Sequence, residues 1–208
     1  MASPVAHSFA GFWTFLLLVQ RRGLGLTQPW RTRLAQVSVL TLVANLADFD
    51  FVPELLFRRD YHRGFSHSLV AAIIAALVFA GIWKIAGAFW RSAAIYFVAY
   101  GSHLLIDFFT GLKLGWNHSG SGIPLLWPSP EKDFASLFVL VYGVRHGSIA
   151  AIFSLANLRA ICYDTLVCGT LTAVLLAWRA RYMLKQPAMN SPVETTRPTL
   201  HHSIVQPK

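Results

Sequence analysis

The chain has 208 residues, 55% of them hydrophobic and 13% charged, with a mean hydropathy of +0.49. That charged share is about half the roughly 25% of soluble domains, which excludes disorder and a disulfide scaffold as the main state and leaves too little polar surface for a soluble globule. The net charge is +9, and its 18 Lys+Arg form no stripe interleaved with exposed aromatics, so no nucleic-acid partner is expected. A small polytopic membrane protein, with the lipid bilayer as its main partner, is the class that fits.

Residues 1–20 contain no Asp, Glu, Lys or Arg and include the run FAGFWTFLLL. At ~1.5 Å per residue they reach across the hydrocarbon core, and the missing positive n-region argues against a signal peptide. Arg21, Arg22, Arg31 and Arg33 make the next loop cationic. A second apolar run, 34–47, ends on Asp48 and Asp50. The third covers about 64–83 and the fourth 92–112, with Lys84 and Arg91 bracketing the turn between them. His103 and Asp107 sit inside the fourth.

The stretch 134–157 is apolar but broken by Arg145 and His146, which lie between Gly143 and Gly147. The last run, about 160–178, precedes Arg179 and Arg181. Its Cys162 and Cys168 lack zinc-knuckle spacing and read as free thiols packed in a helix. The Pro-, Ser- and Thr-rich tail 186–208 reads as disorder. These signals predict an all-α polytopic membrane protein. Five transmembrane helices fill a membrane domain over 1–185, with 134–157 as an interfacial or re-entrant element.

With five spans, the loops 21–33 and 84–91 and the tail share one side and carry four, two and five Lys+Arg. The positive-inside rule then places the N-terminus outside and the C-terminus in the cytoplasm. This orientation, derived from the cationic loops alone, gathers seven potential ligands at the outer side: His7, Asp48, Asp50, His62, His67, His103 and Asp107. Each has a plainer reading. His7 fits an interfacial histidine. Asp48 fits a turn cap, and Asp50 fits a partner of Arg58 or Arg59. Ser66 fits a helix cap for the segment HRGFSHS. His103 and Asp107, four apart on one helix face, fit a hydrogen-bonded pair. Against that last reading, an ionised carboxylate within a span costs at least ~2.5 kcal/mol and usually faces a partner, a cavity or a metal.

Imidazole and carboxylate donors suit zinc, manganese or iron better than calcium. One or two such ions would bring the pKa of a bound water toward ~7, and a pair would clamp both oxygens of a phosphoester displacement. Arg63, inside the histidine motif, fits a phosphate with its planar fork, or equally pairs with Asp60.

At these residues the chain resembles the bacterial membrane-bound metal-dependent hydrolases, also called LexA-binding, inner-membrane-associated hydrolases. The matching blocks are VAHSFAG (5–11), ANLADFDFVPELL (44–56), YHRGFSHSL (61–69), SHLLIDFFTG (102–111), GIPLLWPSP (122–130), GVRHGS (143–148) and NLRAI (157–161). The resemblance implies a helical membrane protein with a metal site on His7, Asp48, Asp50, His62, His67, His103 and Asp107. His146, in GVRHGS, would be a further ligand or a general acid. Ala47 stands where the family has proline, and Ala6 where it has threonine or serine. The H-x3-D spacing is also similar to that of zinc-dependent phospholipases C and related nucleases. No residue here marks a LexA interface.

The resulting expectation is a zinc-, manganese- or iron-dependent hydrolase at the outer face of a bacterial-type inner membrane. It would act on a lipid-like or other amphiphilic ester, with Arg63 binding the anion and His146 donating a proton. The alternatives are a non-catalytic metal site and a small ion or proton transporter. A serine hydrolase and a phosphate-loop enzyme are set aside, because neither G-x-S-x-G nor G-x-x-x-x-G-K-[ST] occurs. No organic cofactor is indicated.

Overall fold

The computed structural model describes residues 1–20, 28–50, 64–116, 122–129, 133–145 and 148–185. The chain divides into two units, Met1–Ala173 and Val174–Lys208. The described residues are mostly helical. They form α1 (Pro4–Thr14), extended by a π-helical turn over Phe15–Val19, α2 (Trp30–Asn45), α3 (Leu69–Ile82), α4 (Phe89–Phe108), a short α5 (Ile149–Ile152) and α6 (Leu155–Lys185). Three-ten turns cover Leu46–Asp50 after α2 and Phe65–His67 before α3.

The helix starts follow from local chemistry. Ser3 caps α1, its hydroxyl accepting from Ala6 N at 3.3 Å, and Pro4 stands at the first helical position, where its missing N–H costs nothing. Ser68, not Ser66, caps α3, accepting from Ala71 N at 3.1 Å. Gly11 lets α1 lie directly on α2. A Cβ there would stand 2.7 Å from both Leu40 O and Thr41 Cα, so no larger residue fits this crossing. The pairing of α3 with α4 also uses small residues. Ala72, Ala76 and Ala80, one turn apart, are buried in α3, as are Ala93 and Ala99 in α4. The outer face of α3 is instead Ile73, Ile74, Val78 and Ile82, all exposed, which suits lipid rather than water.

An all-helical chain is not what the described residues show. After α4 the chain makes β1 (Thr110–Gly111) and β2 (Gly115–Trp116), and later β3 (Phe138–Val139) and β4 (Val141–Tyr142). β1 pairs parallel with β4, and β2 antiparallel with β3. These short ladders clasp the segment 133–145 against the end of α4. The stretch 134–157 is therefore split among strands, the short α5 and the start of α6. Asn157 holds it in that form. Its side chain bonds both backbone groups of Arg145 at 2.7 Å and the carbonyls of Ala151 and Ile152 at 3.0 and 3.1 Å.

Five helices of full spanning length are not seen either. Among the described residues one segment, Leu155–Arg181, has the length and composition to cross a membrane, and Pro4–Val19 and Leu69–Ile82 are apolar but shorter. The helices α2 and α4 carry Arg31, Arg33, Arg91 and Asp107, which lowers their hydropathy. The tail 186–208 lies outside the described residues.

Candidate metal centre

Four structural elements bring polar side chains to one end of the bundle. His7 lies in the first turns of α1, and Asp48 in the three-ten turn that ends α2. His67 closes the three-ten turn before α3, and His103 and Asp107 occupy the last turns of α4. Thus α1 and α3 begin where α2 and α4 end. All five residues are buried: the three histidines are 0% exposed, Asp107 1% and Asp48 5%.

The histidine Nε2 atoms and the carboxylate oxygens converge. His103 Nε2 lies 3.4 Å from Asp48 Oδ1, 3.7 Å from Asp107 Oδ2 and 3.3 Å from His67 Nε2. His67 Nε2 lies 3.6 Å from Asp48 Oδ1 and 3.4 Å from Asp107 Oδ2. His7 Nε2 lies 3.7 Å from Asp48 Oδ2 and 3.5 Å from Asp107 Oδ1. The His7 ring stacks on His103, with centroids 3.8 Å apart. These separations are long for hydrogen bonds. They match the ~3.4 Å between neighbouring donors of a tetrahedral ion bound at ~2.1 Å. One donor atom each from His7, Asp48, His103 and Asp107 falls within 4.8 Å of all the others.

Hydrogen bonding on the far side of the rings fixes which nitrogen faces inward. His103 Nδ1 donates to Ala44 O at 2.9 Å, a carbonyl in the last turn of α2. Nε2 of His103 is therefore a lone pair aimed at the cluster. On His67, Nδ1 faces Ser66 Oγ at 3.0 Å and Asp50 Oδ2 at 3.4 Å, while the Ser66 hydroxyl bonds closely to Asp50. A histidine backed by a carboxylate in this way is the usual support of a metal ligand. The plainer reading of His103 and Asp107 as a hydrogen-bonded pair is not met, since His103 Nε2 and Asp107 Oδ2 stand 3.7 Å apart and both face the shared centre.

The donor set fits a divalent cation. Both ring nitrogens of His7, both oxygens of Asp48 and Oδ2 of Asp107 are buried and have no hydrogen-bond partner among the described residues. Two unpaired buried carboxylates would cost several kcal/mol each unless a positive charge sits among them. Imidazole with carboxylate, and no thiolate, is the chemistry of zinc, manganese or iron sites.

The structure also shows supports that sequence reasoning missed. Ala2 N donates to Asp107 Oδ1 at 2.7 Å, orienting that carboxylate from the backbone. Tyr100 OH donates to Ser66 O at 2.6 Å and steadies the turn that carries His67. Asp164, in α6, accepts from Ser3 Oγ at 2.5 Å and so fastens the start of α1. Its signal was visible: it is the one acidic residue in an otherwise apolar run. Backbone groups such as Ala2 N and Ala44 O leave no such trace.

Of the residues expected at the site, His7, Asp48, His67, His103 and Asp107 converge on the cluster, and Asp50 stands behind His67. His62, Arg63 and His146 lie outside the described residues. A family model described as YdjM inner membrane protein matches residues 1–186. No curated protein and no solved structure matches the chain.

Proposed function

The chain belongs to the YdjM inner membrane protein family, and on that premise we propose that it is a metal-dependent hydrolase acting on a phosphoester or other ester of a lipid-like substrate. The observation that carries this reading is the buried cluster of His7, Asp48, His103 and Asp107, in which both ring nitrogens of His7, both oxygens of Asp48 and Oδ2 of Asp107 have no hydrogen-bond partner among the described residues. His7, Asp48, His67, His103 and Asp107 would hold one or two ions, zinc first, with manganese or iron as the other fits. A bound ion of this kind supplies hydroxide at neutral pH by lowering the pKa of its water toward ~7. Asp50 and Ser66 hold the His67 ring, and Ala44 O holds that of His103. From the sequence, Arg63 binds the substrate anion and His146 donates the proton to the leaving group.

The cationic loops support an orientation with this end of the bundle outside and the C-terminus in the cytoplasm. A lipid-like substrate then reaches the site along the bilayer. The test is elemental mass spectrometry of the detergent-solubilised protein beside a His103→Ala, Asp107→Ala double variant, followed by a phospholipid hydrolysis screen. Stoichiometric metal that is absent from the folded double variant, with turnover in the parent alone, is the expected result. Full metal occupancy without turnover of any ester would move the assignment to a non-catalytic metal site, and no metal after reloading would remove the hydrolase reading.

A further inference from the structure

A second feature lies beside the cluster, on the segment that β4 and Asn157 hold in place. Met1, Pro4, Val144, Ile152 and Ile161 wall a largely apolar cavity of about 190 Å³, and Arg145 and Asn157 complete it. The cavity adjoins the metal centre through the chain itself. Met1 O accepts from Val144 N at 2.9 Å, and the next residue, Ala2, donates to Asp107.

Arg145 is presented in an unusual way. Asn157 is buried, and its amide is devoted to backbone: Oδ1 accepts from Arg145 N, and Nδ2 donates to Arg145 O, Ala151 O and Ile152 O. Two of these four hydrogen bonds hold the Arg145 backbone and fix where its side chain starts. That side chain is exposed, and its guanidinium forms no ion pair or hydrogen bond with any described residue. A fixed backbone under an unpaired guanidinium, at an apolar cavity next to a metal centre, is an arrangement for one kind of occupant. It must bring an anion for the fork and hydrocarbon for the walls.

We propose that Arg145 and this cavity form the headgroup subsite for a phosphate-bearing lipid, with the phosphate on the guanidinium and the adjoining glyceryl or acyl carbons against Val144, Ile152 and Ile161. This rests on the hydrolase reading and names its substrate class. Here Arg145, in place of the Arg63 read from the sequence, makes the anion contact, because its backbone is the one the structure fixes at the cavity. The arginine also lies at the ligand end of the helices, the end that the cationic loops assign to the outer side.

The test is binding rather than turnover, measured by calorimetry on the purified full chain in a non-ionic detergent. The probes are dihexanoyl phosphatidate, uncharged dihexanoylglycerol and inorganic phosphate. The parent protein is expected to prefer the phosphatidate over the diacylglycerol by at least tenfold. Arg145→Gln is expected to erase that preference, Arg145→Lys to keep part of it, and Asn157→Ala, which frees the backbone but keeps the charge, to fall between. Metal content of Arg145→Gln is expected to equal that of the parent, which shows the variant is folded. Equal affinity of the parent for both lipids, or a preference that survives in Arg145→Gln, overturns the proposal. Inorganic phosphate binding as tightly as the phosphatidate would assign a free-anion site and also overturn it. A parent that discriminates through Arg145 but contains no metal would sink the hydrolase reading and leave the lipid subsite standing.

Discussion

Two kinds of buried carboxylate occur in this protein, and they are handled in opposite ways. Asp164 is 2% exposed in the apolar helix α6, and the Ser3 hydroxyl reaches it directly. Asp48 and Asp107 are as deeply buried, yet three of their four oxygens have no hydrogen-bond partner among the described residues, and imidazole nitrogens stand 3.4–3.7 Å away. The pair at Asp164 is complete by itself and works as a fastening for α1. The cluster at Asp48 and Asp107 has the donors to hold a metal ion. Burial of an acid is therefore not the mark of a metal site. An unmet demand for positive charge is.

Substitutions sharpen this contrast in order of size. Asp107→Ala removes one of the two carboxylates, and metal affinity is expected to fall at least ~100-fold, read by competition with a coloured chelator. Gly11→Val puts a branched side chain where a Cβ already meets the α2 backbone at 2.7 Å, one turn from His7. Overpacking of this kind costs about 1–3 kcal/mol, seen as a lower Tm in detergent, and metal affinity should drop with it because α1 carries His7. Asp50→Asn keeps the shape behind His67 but loses the charge. A loss of about 10–100-fold in metal affinity is expected, with the fold intact by circular dichroism.

Asp164→Asn should change least. The amide oxygen still accepts from Ser3, so metal content is expected to match the parent and stability to shift by about 1 kcal/mol. If Asp164→Asn stripped the metal as Asp107→Ala does, the distinction between the two kinds of carboxylate would collapse. If Asp107→Ala kept its metal, the cluster would be a polar network and not a cation site.

Much of the site was legible before any coordinates. His103 and Asp107 share a helix face by spacing alone, and charge bias placed them at the same side as His7, Asp48 and His67. Spacing could not separate Asp50 from Asp48. They lie two apart in one turn, and only the packing shows that Asp48 faces the centre while Asp50 faces Nδ1 of His67. Nor could it reveal that Ser68 caps α3 while Ser66 serves Asp50.

Hydropathy and charge by themselves determined a membrane protein of mostly helical segments, because so little polar side chain leaves lipid as the only fitting solvent. The order of apolar runs and cationic loops pointed to imidazoles and carboxylates gathering at one end. Tertiary structure alone decided the short strands at the end of α4, the hold of the Asn157 amide on Arg145, Ala151 and Ile152, and the backbone donors and acceptors that aim the ligands. Each of these depends on a main-chain N–H or C=O that every residue carries. No side-chain pattern marks which of them the fold will bring within reach.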